Sequence, residues 1–422
     1  MISLRGQFTL ITLAACFATT SVRAQGAAQT VMPPVPTTAA SRSSDYLYLW
    51  TASADSTKPD FLAVVDVRPA AGRYGKIIGS VPVPGLRNVP HHSEHSMPAD
   101  GRLFVNGFGS GKSFIFDMRD PARPKLDGEF GEVAGMMHPH SYLRLAYGNV
   151  LATFQMQHDA KGMAPGGLAE ITNRGKLVRS VSDNVPGVDR RIRPYSAVIV
   201  QSLDRIVTTT TDMDGKDDIN AVQVWRLSDL KLLSTFNLPN GPRGDEGALT
   251  AEPRLLDDGK TVLVSTFNCG LYLLKDIAGA KPSAQMVSSF PMKKGTNCAI
   301  PVVAGNYYLV TVPAYSAVVS LDISNPAKPR EVSRMALNAG DVPHWLSIEP
   351  NHQRIVVTGY ADMKNRVVIG NFNQSTGALS IDTRFRDEGA KEPGLRMDNK
   401  QWPHGGNAAG IPHGAVFSRS AK

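Results

Sequence analysis

From Tyr46 onward the apolar positions fall in short runs rich in Val, Ile, Leu and Phe, separated by Gly, Pro, Asn and Asp. No long stretch keeps a period of 3.6, so the chain reads as a succession of strands and turns. Runs of one kind recur: 61–68, 114–125, 168–173, 222–229, 271–282, 318–330 and 367–373 each carry a strand followed by a polar turn. The closest pair is Asp117-Met-Arg-Asp-Pro-Ala-Arg-Pro-Lys and Asp322-Ile-Ser-Asn-Pro-Ala-Lys-Pro-Arg. Seven copies about 50 residues apart, each followed by another short strand, predict an all-β fold: a seven-bladed β-propeller of four-stranded blades.

A second set of positions falls between those units. Pro90-His91-His92-Ser93, Pro139-His140-Ser141, Pro194-Tyr195-Ser196, Pro253-Arg254, Pro301-Val302, Pro343-His344-Trp345 and Pro412-His413-Gly414 occur once per repeat. Proline cannot donate into a ladder and suits the start of a strand. This predicts that its neighbour stands at the mouth of each blade's innermost strand, facing the central channel. The run 413–417 is then the inner strand of the blade whose other strands are 46–52, 61–67 and 76–81. Such a closure by the C-terminal strand leaves no open edge.

Composition agrees with one globular unit. At 42% hydrophobic and 19% charged, the chain is neither a disordered tail nor a coiled coil, and its 38 Gly and 29 Pro act as punctuation of the repeat. Residues 1–24 have the pattern of an export signal: Arg5, an apolar run from Phe8 to Ala18, and Val22-Arg23-Ala24 before a cleavage site. Residues 25–44, rich in Ala, Thr, Pro and Ser, read as a flexible tether, and 45–418 as the single propeller domain. The expected product is exported, periplasmic or secreted, with no membrane span after cleavage. Removing Arg5 and Arg23 lowers the net charge from +8 to +6. The basic residues are scattered among acids, which argues against nucleic acid as a partner. Cys269 and Cys298 remain after cleavage and, in an oxidising compartment, are expected to pair or to be buried.

Four of the seven ring sites carry histidine, although the chain has only ten. His91, His92, His140, His344 and His413 are therefore the candidate metal ligands, with His91 and His92 sharing one site. Any one alone reads as a polar residue capping a strand; repetition at equivalent positions favours convergence on one axis. Imidazole suits Zn, Cu, Fe and Ni. With neither paired cysteines nor clustered carboxylates, copper comes first and zinc second. Around the ring, Tyr195 supplies a hydroxyl, Arg254 a fixed cation, and Glu252 a carboxylate able to orient a ligand histidine through its other nitrogen. These three are the candidate catalytic residues. His95, His138 and His404 are assigned to supporting or solvent positions, and His158 and His352 to polar connections.

Two other motifs carry no function. In Gly107-Phe-Gly-Ser-Gly-Lys112-Ser113 the first glycine of a phosphate loop would have to stand at Asn106, and a strand follows, so the segment reads as a blade turn. The stretch 212–218 resembles part of a calcium loop but lacks the terminal glutamate.

Several of these segments, in order, resemble the selenium-binding protein family, which includes the methanethiol oxidases. The resemblance runs from about Asp60 to Phe417. Asp60-Phe-Leu-Ala-Val-Val-Asp-Val is similar to the family's first blade, His91-His92-Ser93 to its His-His motif, and Pro121-Ala-Arg-Pro-Lys to its Pro-Lys turn. His140-Ser141 resembles the start of its His-Thr-x-His, Glu252-Pro-Arg254 its Glu-x-Arg, and Leu321-Asp-Ile-Ser-Asn-Pro its Tyr-Asp-Ile-Ser-Asp-Pro; His413 matches the histidine of its C-terminal segment. The resemblance implies a seven-bladed propeller and copper-dependent oxidation of a small thiol by O₂ to formaldehyde, hydrogen sulfide and hydrogen peroxide. It implies His91, His92, His140 and His413 as copper ligands; His344 comes from the repeat alone. Leu143 stands where the family's second histidine would be, no cysteine follows His91-His92, and the tail lacks the family's Pro-Gly-Gly-Asp-Cys ending. The alternative is a non-catalytic propeller binding a metal or ligand at the same mouth. A lactonase-like hydrolase is disfavoured, because the ring lacks carboxylates for calcium.

Overall fold

A computed structural model describes residues 42–213, 218–291, 297–360, 363, 365–398 and 400–419. The export signal and most of the tether lie outside the described residues, as does part of the acidic stretch 212–218.

The described chain forms seven antiparallel sheets, six of four strands and one of five. This is the expected seven-bladed propeller. Blade 1 has Gly410–Phe417 as its inner strand, followed outward by Tyr46–Ser53, Phe61–Asp66 and Ile77–Pro82. The other inner strands are Pro90–Ser93 in blade 2, Met136–Arg144 in blade 3, Pro194–Val200 in blade 4, Thr250–Leu255 in blade 5, Pro301–Ala304 in blade 6 and Val342–Ile348 in blade 7. The closing strand pairs Leu47 with Phe417 and Thr51 with Pro412. Ser44 Oγ donates to Ser418 O at 2.6 Å, and Arg354 donates to Ser44 O at 3.1 Å and to Val67 O at 2.7 Å while pairing with buried Glu349. Ser44 thus ties the start of the first blade to its closing strand and to blade 7.

Each sheet is covered on both faces, which explains the apolar runs. The strand Phe61–Asp66 is buried at every position, whereas an outermost strand such as Lys125–Phe130 alternates with solvent. The main apolar clusters lie between successive blades; Trp50, Val64, Val105, Phe114 and Phe116, for example, fill the junction of blades 1 and 2. The repeated Asp after the third strand makes a turn with its own backbone: Arg119 N donates to Asp117 Oδ1 at 3.0 Å, and Ser324 N to Asp322 Oδ1 at 2.9 Å.

The ring prolines differ in part from expectation. Pro90, Pro194 and Pro301 begin their strands, but Pro139, Pro253, Pro343 and Pro412 lie inside theirs. In six of the seven inner strands the pairing register shifts at or beside the proline. A bulge accommodates a residue with no N–H and re-aims the one that follows. Val89 and His138, each just before a ring proline, hold φ at 56° and 55°, a costly conformation for such side chains.

Candidate metal centre

The bulges deliver the histidines of four blades to one place. The His91 and His92 rings stack at 4.2 Å, and His140 stands 4.3 Å from His92 and 5.0 Å from His91. His413 lies 4.4 Å from His91, and His344 lies 4.8 Å from His413. All five sequence-identified histidines therefore converge, as a crescent from blade 3 through blades 2 and 1 to blade 7. Ligand nitrogens of His91, His92 and His140 all lie within 4.8 Å of one another, and these three residues are buried.

The backbone around the crescent is pinned by buried side chains of the second strands. Asn106 Oδ1 accepts from His92 N at 2.6 Å, and its amide donates to Pro139 O at 3.1 Å and His140 O at 3.3 Å. One side chain thus fixes two of the three core histidines. Threonines do the same further round: Thr153 holds Tyr195 O at 2.9 Å, Thr311 holds His344 O at 2.8 Å and Thr358 holds His413 O at 2.6 Å. Gly414 lets two inner strands meet, since a Cβ there would stand 2.7 Å from Ser93 N and 3.0 Å from His91 O.

The imidazoles are prepared as neutral donors. His140 Nδ1 lies 2.8 Å from the Tyr195 carbonyl, which can only accept, so the proton sits on Nδ1 and the lone pair on Nε2. That Nε2, and Nε2 of His91, are buried with no hydrogen-bond partner among the described residues. A buried acceptor left so is costly unless something else engages it. Burial, reinforced by neighbouring imidazoles, holds His91, His92 and His344 well below the ordinary imidazole value. Burial lowers His140 and His413 to about 3, outweighing the backbone hydrogen bonds that oppose it. The residues present fit a nitrogen-bound copper or zinc ion.

The other candidates divide. Tyr195 joins the cluster: its hydroxyl is 3.2 Å from His92 Nε2 and its ring 4.0 Å from that of His140. Glu252 does not orient a cluster histidine. It accepts from Ser196 Oγ at 2.7 Å and from Arg254 at 2.6 Å. Arg254 in turn donates to His95 Nε2 at 3.1 Å. His95 stacks on Trp345 at 4.5 Å, and Trp345 is 5.0 Å from His92. Glu252 and Arg254 are therefore linked to the cluster indirectly, through that stack and through Ser196 beside Tyr195. Asn106, Trp345 and the threonines were not singled out from sequence. The available signal was a polar residue near the end of an otherwise apolar second strand, as in Leu103-Phe-Val-Asn106 and Ile355-Val-Val-Thr358. The segment 107–113 is the blade turn it was expected to be, joining Arg102–Gly107 to Lys112–Asp117. Cys269 and Cys298 are disulfide-bonded, with Cα atoms 4.9 Å apart.

No protein-family model matches the chain. A methanethiol oxidase of Hyphomicrobium sp is 28% identical over 237 residues, covering 51% of this chain and 53% of that protein. A methanethiol oxidase of Ruegeria pomeroyi is 32% identical over 232 residues, 47% of this chain and 52% of the relative, and selenium-binding protein 3 of Arabidopsis thaliana is 27% identical over 227 residues, 48% and 46%. The chain spans about half the length of the curated relatives it matches. Among solved structures, a hypothetical selenium-binding protein from Sulfolobus tokodaii superposes with a TM-score of 0.69 at 18% identity, over 90% of this chain and 94% of that one. A periplasmic gluconolactonase from Pseudomonas aeruginosa superposes at 0.60 with 12% identity, over 89% and 99%. These likenesses show the propeller fold. By these relatives, the chain is similar to selenium-binding proteins and methanethiol oxidases, at 27–32% identity over about half of its length.

Proposed function

We propose that this protein is an exported copper-dependent oxidase of a small thiol, with His91, His92 and His140 as the core of the metal site and His413 and His344 flanking it. The observation that carries this reading is the pair of buried Nε2 atoms on His91 and His140, one with its tautomer fixed by the Tyr195 carbonyl. The curated relatives named methanethiol oxidase support the substrate class. For methanethiol the balanced reaction consumes O₂ and water and gives formaldehyde, hydrogen sulfide and hydrogen peroxide.

When bound, copper supplies a soft site for sulfur and one-electron chemistry toward O₂. The chain's own residues do the rest. Asn106 and the threonines hold the ligand backbones, so little reorganisation accompanies loading. Trp345 and Phe267, which stacks 6.2 Å from His344 and stands edge-on 5.6 Å from Tyr195, keep water from the cluster. The Tyr195 hydroxyl, on His92 Nε2, is placed to pass a proton beside it. The Cys269–Cys298 disulfide supports an oxidising compartment, in keeping with the leader-like first 24 residues.

The test is elemental analysis of the purified protein together with oxygen uptake on methanethiol, repeated with His140→Ala and His413→Ala. Copper near one per chain, lost with uptake in His140→Ala, is the expected result. A protein that takes up no copper overturns the proposal, and copper without turnover reduces it to a metal-binding propeller.

A further inference from the structure

Two cavities adjoin beside the cluster. One, of 620 Å³, is lined by residues including Met97, Val303, Ile348 and Phe417. The other, of 270 Å³, is lined by His92, Ser141, Leu143, Ser196 and Val198 among others. His95, Ser96, Arg144 and Arg254 line both. The smaller cavity therefore reaches a core histidine, and the larger one meets it at a shared waist. His95 forms that waist by crossing between blades: it follows the inner strand of blade 2, stacks on Trp345 of blade 7, accepts from Arg254 of blade 5, and its carbonyl accepts from Ser347 Oγ at 2.9 Å.

The charges at the waist are already matched. Arg254 pairs with Glu252 at 2.6 Å, and Arg144 pairs with Glu94 at 2.7 Å and Asp100 at 3.2 Å. Glu252 is fully buried and Glu94 nearly so. The hydroxyls of Ser141 and Ser196 already donate to Tyr195 O and Glu252. The rest of the inner wall includes Leu143, Val198 and Pro253. At this waist and inner wall an anion would have to shed its water without gaining a cation that is not already paired, since Arg419 lines only the outer cavity, whereas an uncharged molecule would lose little.

We propose that these two cavities are the access route to His92 and that the His95–Arg254 waist selects small uncharged molecules, so that a thiol passes with its proton on and a thiolate or carboxylate does not. Only the naming of a thiol rests on the oxidase reading; the charge selection does not.

The route is tested by thiol accessibility in the full chain with Cys16→Ser, the Cys269–Cys298 disulfide kept oxidised. Leu143→Cys and Val198→Cys, made singly, report the inner cavity, and Val303→Cys reports the outer one. Each is treated with uncharged methyl methanethiosulfonate and with its anionic sulfonatoethyl analogue; the cysteine thiolate attacks the sulfenyl sulfur, forming a mixed disulfide and releasing sulfinate. With rates taken relative to Val303→Cys, the inner cysteines are expected to favour the uncharged reagent at least ~10-fold, because an unpaired ion is stripped of water at a cost of several kcal/mol. Adding His95→Ala is expected to narrow that ratio. Equal inner rates, preference for the anion, no inner labelling by either reagent, or a ratio indifferent to His95→Ala each overturns the proposal. No metal or turnover is needed, so this outcome is separable from the copper and oxygen-uptake test.

Discussion

Replacing Asp183 by Asn tests how a buried carboxyl makes stability depend on pH. Asp183 follows the outer strand Leu177–Ser182 of blade 3 and is fully buried against blade 4, where Gln223 Nε2 donates to its Oδ1 at 2.9 Å. Its Oδ2 has no hydrogen-bond partner among the described residues. Burial raises its pKa from 3.8 to about 7, against the opposing Gln223 hydrogen bond. Because the folded value is the higher one, the contribution is full below about pH 4, where both states are protonated. It is lost progressively up to about pH 7 and is constant above. At about 1.4 kcal/mol per unit, the native state loses about 4 kcal/mol across that window. Asn cannot ionise, and its amide placed at Oδ2 is a buried donor without a partner, much as the hydroxyl of the protonated carboxyl is. Asp183→Asn should therefore lie close to the parent in stability at pH 4 and be more stable than it at pH 8. The swing between the two should be about 4 kcal/mol, or about 5 °C in Tm for a chain of this size. Differential scanning fluorimetry of both proteins from pH 4 to 8.5 measures it, with other titrations cancelling in the difference. A difference that stays flat across that range would refute the assignment of a neutral buried carboxyl.

Three further variants probe the frame of the site and of the blades. Asn106→Ala leaves His92 N and Pro139 O without a partner that the structure gives them, and should cost about 2–4 kcal/mol in thermal stability and lower copper stoichiometry; unchanged Tm and metal content would count against its pinning role. Gly414→Ala forces a Cβ to within 2.7 Å of backbone at Ser93, so the two inner strands must part; a loss of about 1–3 kcal/mol and weaker metal retention on dialysis against a chelator are expected. Removing the disulfide with Cys269→Ser and Cys298→Ser frees a loop of 29 residues in the unfolded chain and should cost about 3–4 kcal/mol by urea unfolding, with metal binding retained because both cysteines lie in the apolar cluster between blades 5 and 6.

Much of the ring was legible because each blade repeats the same local problem. Middle strands must be largely apolar, the turn after the third strand closes on an Asp in blades 2 and 6, and in six of the seven blades the innermost strand carries a bulge that proline marks. These are local requirements, written in neighbouring residues. What pins the site is not local. Asn106 acts on His140 from 34 positions away and Thr358 on His413 from 55, each across a blade boundary. In sequence such a residue is only a polar interruption of an apolar run, and Asn106 was noticed merely as the residue that spoils a phosphate loop. Glu252 shows the converse: a carboxylate one residue from a ring proline looks able to orient a histidine, yet Arg254, two residues along the same strand, and Ser196 of the neighbouring blade claim it first. His95, only three residues beyond His92, reads from the sequence as a supporting or solvent residue, and nothing there announces that it stacks on Trp345 of blade 7.

The crescent also explains why the site has a side from which to be approached. Histidines come from blades 7, 1, 2 and 3, so the donors occupy one flank of the axis, and the opposite flank is held by Tyr195 and Phe267 of blades 4 and 5. That flank is also where the smaller cavity is walled by Ser196 and Val198 of blade 4 and Pro253 of blade 5, beside the histidines that would hold an ion. Leu143, in blade 3, stands on the same wall, so a histidine at that position would add an imidazole to the approach rather than to the crescent. On the proposed function and access route, the labour divides: Asn106, Gly414 and the threonines would govern whether metal is held, and Leu143, His95 and Arg254 what reaches it. Substitutions in the first set should change metal content, and those in the second should change ligand preference at unchanged metal content.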